Sequence, residues 1–562
     1  MTETLTQDIT VGDLIAEFLA AIGVRQAYGV ISIHNMPILD GFHTRRQIRF
    51  ISARGEAGAC NMADADARVN GSLGVVVTST GTGAGNAAGA LVEALTAGTP
   101  LLHLTGQIES PYLDRDLGFI HEAKDQLAML RAVGKDAFRI EKPEQALAVL
   151  KKAVTLALTA PCGPVSIEIA IDVQKMRVPC PAYPEGLAQL RPQPVAADVE
   201  KLAALAVQLK AAKRPLLWLG GGARAAGAAV ARLVAMGFGV VTSVQGRGIL
   251  DEGHPLSLGA FNLQKAAQDL YAQCDAMLVV GSRLRSNETL SYKLALPQRL
   301  WRIDANPALQ TQTHPYAFES TLQADATLAL TALADALEGQ MQVAHDWGAA
   351  IASARSGGEA QVDAGLAAYL TLKNELNAQV AALPVPPYWV RDITLSNTMW
   401  GNRSLHLKHP RQGVHALGGG IGQGLQMAIG ASLGAHQGQG GQAIALCGDG
   451  GLMLNVGELA CAVQEKANVL LIVMNDACYG VIKNIQDADY GARHAYVQLT
   501  TPDFKQWCAG LGIPHYGLAQ PSQTRGVLAA ALAQRGPVVV EVDMASWGDF
   551  AVKFAGPPRK TH

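Results

Sequence analysis

Residues 447–480 read CGDGGLMLNVGELACAVQEKANVLLIVMNDACYG. A short apolar run, Ala443 to Cys447, leads into Gly448-Asp449-Gly450-Gly451. A helical stretch follows, then a second apolar run from Val469 to Met474 that ends at Asn475-Asp476. Short apolar runs of this kind predict buried strands. Each delivers an oxygen ligand at its carboxyl end, which is where open α/β sheets bind their substrates. The surrounding glycines let backbone approach closely. Mg²⁺ takes oxygen ligands in near-octahedral geometry from few carboxylates and lets phosphate supply others. The stretch therefore predicts a divalent cation held against a phosphate. The plain alternative is two buried strands with polar tips.

The chain has 562 residues, 49% of them apolar, with 45 basic and 47 acidic side chains. That length predicts about three domains. A formal net charge of −2 gives no electrostatic case for nucleic acid, and no basic run suggests a membrane surface. The 59 glycines fit an α/β protein with tight turns and close helix–strand packing. Eight cysteines with no CxxC spacing indicate neither a zinc site nor a disulfide framework. The opening MTETLTQDITVGDL has no basic or apolar leader segment, and no apolar run is long enough to span a membrane. A cytoplasmic, soluble enzyme is the expectation.

Along the chain, residues 9–22 have helical spacing, with Gly23 as the stop. Strands are predicted at Gln26–Val30, Ile48–Ser52, Val75–Ser79 and Leu101–Thr105, the last ending at Gly106-Gln107, with a helix opening at or just after Glu56. Strands alternating with helices imply a mainly parallel sheet covered on both faces. A proline-rich stretch over 180–195 reads as a linker. Beyond it, strands at Pro215–Leu219, Val240–Ser243, Ala276–Val280 and Leu300–Ile303 form a second unit. Its Gly220-GGARAAG run is placed like a dinucleotide fingerprint, but the next strand ends in Thr242-Ser243 without a ribose-binding acid. A packing turn is the better reading. Residues 340–385 are helical, and 381–390 read as a second boundary. The expected units are 1–182, 196–340 and 385–562. A faint echo links GTGAGNAAGALVEAL in the first unit with residues 418–435 in the third.

Seven features now stand in order: Ala53-Arg-Gly-Glu56-Ala-Gly-Ala, Thr78-Ser-Thr-Gly-Thr-Gly-Ala-Gly-Asn86, Leu104-Thr-Gly-Gln107, GGGARAAG, Arg302-Ile-Asp-Ala-Asn-Pro307, His415-ALGGGIGQG, and the GDG to Asn475-Asp476 stretch. Over nearly its whole length the sequence resembles the thiamine diphosphate-dependent enzymes of the acetolactate synthase, 2-oxo acid decarboxylase and benzaldehyde lyase branch. The resemblance implies three doubly wound α/β domains. Pyrimidine-binding and diphosphate-binding domains would flank a nucleotide-binding-like middle domain. It implies thiamine diphosphate and Mg²⁺ as cofactors, and a homodimer or homotetramer whose site is shared between subunits.

The same resemblance implies roles for single residues. Glu56 matches the activating glutamate, which shares a proton with N1′ of the aminopyrimidine and needs the raised pKa that burial supplies. Locally, Glu56 could equally cap its helix. Gly55 stands where relatives commonly carry histidine. Ile421 matches the apolar wedge that bends the cofactor and brings its reacting atoms together, and Gly419 offers its carbonyl to the 4′-amino group. Asp449, Asp476 and the Cys478 carbonyl would hold the cation. Asn86, Gly448, Gly450, Gly451, Tyr479, Gly480 and Val481 complete the cofactor contacts. Relatives usually carry asparagine where Asp476 stands, so this chain adds a negative charge beside the diphosphate.

His34 and Gln107 are the catalytic candidates beside Glu56, and His121, Gln423 and Ile482 are further pocket candidates. A histidine near neutral pKa can relay a proton. No adjacent histidine pair is present, which weighs against plain aldehyde release from pyruvate. The implied activity is non-oxidative decarboxylation of a 2-oxo acid, carboligation with a second carbonyl, or both. Cleavage of 2-hydroxy ketones, as in benzaldehyde lyase, is the alternative. A silent cofactor-binding or structural subunit is the rival from another class. Gly281-SRLRSNET lacks the continuation typical of flavin-binding relatives, so FAD is not expected.

Overall fold

The structure, a computed structural model, describes residues 8–434 and 441–556. Residues 1–7, part of the stretch read for a leader, and Ala435, the last residue of the echo, lie outside them, as do 557–562.

Three parallel sheets form three α/β domains. Across the first sheet the strands run Arg49–Ser52, Gln26–Gly29, Gly74–Thr78, Leu101–Gln107, Pro164–Ala170, Asp136–Ile140. Across the third they run Gly413–His415, Tyr388–Arg391, Ala443–Gly448, Val469–Asn475, Val538–Asp543, His515–Leu518. Counted along the chain, both orders are second, first, third, fourth, sixth, fifth. The five-stranded middle sheet runs Gly239–Thr242, Pro215–Leu219, Ala276–Val280, Leu300–Asp304, Ser320–Gln323. An antiparallel clasp of Asp8–Thr10 with Arg177–Pro179 ties the ends of the first domain together. Central strands such as Gly74–Thr78, Leu101–Gln107 and Ala276–Val280 are buried along their whole length. Parallel strands covered by helices on both faces require that continuous apolar composition.

The strand order corrects the echo. The Thr82–Ala97 helix follows the third strand of its sheet, whereas Gly424–Gly434 follows the second. The counterpart of Gly424–Gly434 is the Glu56–Asn70 helix, and these two pack against each other across the domains. Their approach is backbone to backbone. A Cβ on Gly430 would stand 2.1 Å from the Met62 carbonyl oxygen. One apolar core, with Cys60, Met62 and Ala63 against Met427, Ala428 and Ala431, therefore runs through both domains.

Residues 340–385 divide between two cores. Trp347 opens the helix Trp347–Ala364 and donates its indole N–H to the Pro215 carbonyl of the middle sheet. The helix Tyr369–Ala381 instead packs with Trp389 and Leu528 of the third domain. The glycines of the Gly220 turn are used in packing, since a Cβ on Gly220 would lie 2.1 Å from the Gly281 carbonyl oxygen. No helix of the described residues is long and apolar enough to cross a membrane.

Candidate active site

The functional candidates gather at strand ends of the first and third sheets, in two separate clusters. In the first, the strand Arg49–Ser52 turns at Gly55 into the helix that begins with Glu56. Glu56 is partly exposed, and its Oε2 accepts from Asn86 Nδ2 at 3.1 Å. Its other oxygen lies 3.0 Å from where a Cβ on Gly83 would sit, so the glycine after the third strand makes room for the carboxyl group. The chain alone thus provides Glu56 with an amide partner but not with the apolar burial that its implied role requires.

His34 sits in the Ile33–Asn35 turn after the first strand. It is pressed onto the neighbouring strand end, where a Cβ on Gly106 would meet the His34 carbonyl oxygen at 2.1 Å. Gln174 donates to that carbonyl at 2.7 Å. His34 is 6% exposed, and its Nδ1 is buried without a hydrogen-bond partner among the described residues. Its ring stands edge-on to His121, with centroids 5.2 Å apart. Burial, and then the neighbouring His121, hold the His34 pKa below 6.5. His121, at φ 67°, places Nδ1 3.4 Å from Thr82 Oγ1, at the start of the helix that carries Asn86. The pair of histidines absent from the sequence as neighbours is thus assembled in space.

Gln107 faces inward rather than toward that pocket. Its Oε1 accepts from Thr80 Oγ1 and from the Ile108 N–H, both at 2.8 Å, and its amide nitrogen lies 3.4 Å from Glu168 Oε2. Gln126, not singled out from the sequence, accepts from Gly81 N–H at 2.7 Å and donates to Glu168 at 2.9 Å. Gln107 and Gln126 therefore brace the Thr80–Thr82 turn from below. With its amide engaged at both ends, Gln107 is placed as a support for the turn.

In the third domain, Ile421 is 37% exposed on a loop between Gly419 (φ 86°) and Gly422 (φ 80°). That left-handed backbone suits glycine. Asp392 holds the loop: both its oxygens accept from Gly422 N–H at 3.1 Å. Burial pushes the Asp392 carboxyl up to about 6, against the opposing pull of its backbone N–H partners. On the other side Glu93 accepts from Leu417 N–H at 2.8 Å and from Gly418 N–H at 2.5 Å. Gln423 is buried behind the loop. Sequence reading missed Asp392, whose only signal is its place at the end of the strand Tyr388–Arg391.

Asp449 follows the strand Ala443–Gly448 and is 1% exposed, with Oδ2 lacking a hydrogen-bond partner among the described residues. Asp476 follows the neighbouring strand, and the two carboxyl groups lie close enough to influence each other's ionisation. Burial raises both pKa values, and Asp449 raises that of Asp476 further. Asp476 Oδ1 accepts from Cys478 N–H at 3.2 Å, and Gly480 must lack a Cβ because one would meet Asp476 Oδ2 at 2.6 Å. The Tyr479 ring covers Gly450 in the same way, at 2.8 Å from a Cβ there. Val481 and Ile482 begin the next helix with partly exposed side chains. Asn475 braces the turn, donating to Glu541 at 2.7 Å and accepting from Ala477 N–H at 3.2 Å.

Two facing carboxyl groups and an orphaned buried oxygen call for a proton or a cation between them. The described residues contain no cluster of three or more His, Cys, Asp or Glu side chains able to hold a metal. The donor set therefore fits a hard cation such as Mg²⁺ that takes its remaining oxygens from backbone and phosphate.

Three family models match the chain in order. The thiamine pyrophosphate enzyme N-terminal TPP binding domain covers residues 9–129, the central domain 202–333, and the C-terminal TPP binding domain 396–542. A probable 2-ketoarginine decarboxylase, AruI, of Pseudomonas aeruginosa is 32% identical over 475 residues, which is 84% of this chain and 82% of the relative. The chain belongs to the thiamine pyrophosphate enzymes. Acetolactate synthase large subunits at lower identity match more of its length. The acetolactate synthase isozyme 1 large subunit of Escherichia coli is 26% identical over 550 residues, 96% of this chain and 95% of the relative. A probable acetolactate synthase large subunit of Methanocaldococcus jannaschii is 25% identical over 558 residues, 94% and 91% of the two chains. As a thiamine pyrophosphate enzyme, the chain takes thiamine diphosphate as its cofactor. Glu56 and Asn86 fall within the N-terminal match, and Ile421, Asp449 and Asp476 within the C-terminal one.

Proposed function

We propose that this chain decarboxylates a 2-oxo acid without oxidation and passes the remaining acyl carbon to a proton or to a second carbonyl. The first outcome gives an aldehyde and the second a 2-hydroxy ketone or an acetohydroxy acid. The observation that carries this reading is the pairing of Glu56 with Asn86 at one set of strand ends and the facing Asp449 and Asp476 at the other. The names of the relatives, a 2-ketoarginine decarboxylase and acetolactate synthases, support a 2-oxo acid as substrate. The bound cofactor supplies the electron sink that lets carbon dioxide leave.

The residues of the chain do the rest. Glu56 holds a proton at the pyrimidine ring, with Asn86 fixing its carboxyl group. Ile421 and the Gly419 carbonyl would bind and orient the cofactor. Asp449, Asp476 and the Cys478 carbonyl would hold Mg²⁺ beside the diphosphate, with Gly448, Gly450, Gly451, Tyr479, Gly480 and Val481 around it. His34, kept neutral by burial, accepts or returns a proton at the substrate oxygen together with His121. Gln107 holds the turn beneath them.

Retention of both clusters argues against a silent subunit. Glu56 and Ile421 are each left partly open in the single chain. Gly418 is fastened at Glu93, two helical turns from Asn86 and so about 10 Å away along the helix. A second copy bringing its Ile421 and Asp449 to this Glu56 would close the site, which supports a homodimer or a tetramer built from such dimers. Eight free cysteines fit a reducing, cytoplasmic setting.

The test is a panel of 2-oxo acids, with and without aldehyde acceptors, and of 2-hydroxy ketones, reading carbon dioxide and products. Carbon dioxide release from a 2-oxo acid is the expected result. Cleavage of hydroxy ketones with no carbon dioxide from any 2-oxo acid would overturn the reading in favour of a lyase.

A further inference from the structure

Glu458 opens the helix Glu458–Gln464 in the third domain and is 2% exposed. Among the described residues, its carboxylate has no charged side chain in hydrogen-bond contact. It crosses instead into the first domain, where Oε1 accepts from the Arg54 and Gly55 N–H groups at 3.0 Å each and Oε2 from Arg54 N–H at 3.1 Å. Those two amides belong to the turn that launches the Glu56 helix. Gly55 occupies the N-cap position in an extended conformation and has no side chain with which to cap. A helix start leaves several N–H groups unsatisfied, and capping side chains ordinarily fix the entry of the chain. Here a carboxylate from another domain performs that fixing.

The fit leaves no slack. A Cβ on Gly58, one turn into the helix, would lie 2.2 Å from Glu458 Oε1 and 2.8 Å from its Cδ. The same segment of the third domain meets the first domain at two further points: Arg54 of the turn donates to Gln464 at 2.8 Å, and Arg49, at the start of the preceding strand, pairs with Glu465, just past the helix, at 2.5 Å. Desolvation of this kind pushes the Glu458 carboxyl up to about 7, with the Arg54 and Gly55 N–H groups pulling the other way. A side chain held at that cost in solvation has a local function to serve.

We propose that Glu458 is a positioning residue for Glu56. It fixes the Arg54–Gly55 peptide, and with it the direction in which the Glu56 carboxyl group faces the cofactor. The inference rests on the role given to Glu56 above. It adds a second requirement to that role, a carboxylate delivered from the segment that begins at Asp449.

The test compares Glu458→Ala, Glu458→Gln and Glu458→Asp, with Glu56→Gln as control. In cofactor-free protein, amide hydrogen exchange over residues 52–60 should quicken in the Ala variant and stay near wild type in the Gln variant, which keeps an acceptor oxygen. With thiamine diphosphate bound, exchange of the cofactor's C2 proton should slow by about a hundredfold in the Ala variant, the scale of a small misplacement of a reacting group. Cofactor affinity should change little, and the Gln variant should restore the rate. If the Ala variant fails to fold, the Asp variant, too short to reach both amides, takes its place. Unchanged amide exchange and C2 exchange in a folded variant lacking the contact would overturn the proposal. If Glu56→Gln leaves C2 exchange unchanged, the role of Glu56 fails instead, and the amide exchange result still judges Glu458.

Discussion

The first and third domains have one strand order and opposite chemistry. In both, the second strand leads through a glycine-bearing turn into the helix at the domain interface, reached by way of Glu56 in the first and Ile421 in the third. The third strand leads to the Thr80–Thr82 turn and the helix carrying Asn86 in one and to Gly448-Asp449 in the other. The fourth ends at Gln107 in one and at Asn475-Asp476 in the other. The fold thus determines which strand ends can reach a ligand, and side chains decide what each end does. The first domain presents a carboxyl group braced by an amide, with two imidazoles nearby. The third presents paired carboxylates, glycines and the exposed Ile421 side chain. An ancient duplication would explain the shared order, but the functional residues have no local similarity that would reveal it.

The sharpest way to break the comparison is to remove the acid–base group proposed for the first domain alone. Glu56→Gln keeps the shape and the Asn86 contact, and turnover should fall by about a thousandfold, within the range of general acid–base catalysis. Cofactor affinity measured by fluorescence titration should stay close to wild type. Turnover at the wild-type rate would strip the first domain of its assigned chemistry.

The matching change in the third domain should act on binding instead. Asp449→Asn removes the charge of the buried carboxyl group, and Mg²⁺-dependent affinity for thiamine diphosphate should drop by about a hundredfold, the upper range for weakened metal sites. Dialysis of the wild type against a chelator should produce the same loss. Retained affinity in either experiment would show that the two carboxyl groups hold no cation.

The smallest effect expected is a shift in pH dependence. Burial and His121 both hold His34 neutral, so the low-pH limb assigned to it should lie below 6.5. As pH falls through that lowered value, His34 gains its proton and the step needing the neutral ring is lost. Replacing His121 with Asn removes the lesser of the two causes, so the limb should move up toward 6.5, with a rate loss of about tenfold. A limb that does not move would mean the two rings do not interact.

Much of this was legible in the sequence, for physical reasons that also mark where legibility ended. Ala276–Val280 and Pro215–Leu219 were readable to the residue because strands buried on both faces show as unbroken apolar runs. Edge strands such as Gly413–His415, Asp136–Ile140 and His515–Leu518 were not, being short or half exposed. The single helical stretch read after Asp449 is two helices, Asp449–Leu454 and Glu458–Gln464. The break places Glu458 at a helix start facing the first domain. Glu56 and Asp449 stood out because several motifs recur in one order. The His34–His121 pair, the inward turn of Gln107 and the reach of Glu458 depend on contacts distant in sequence, which no local pattern records.

The contact of Gly430 with the Met62 carbonyl gives the interface an unusual property. Most domain interfaces are cushioned by side chains, whose rotamers absorb small shifts. Here two main chains touch, and bond lengths and atomic radii set the gap. The distance from the Glu56 cluster to the Asp449–Asp476 cluster of one chain is therefore gauged like a machined part, with no soft layer to take up error. The separation of the two halves is set as the chain folds.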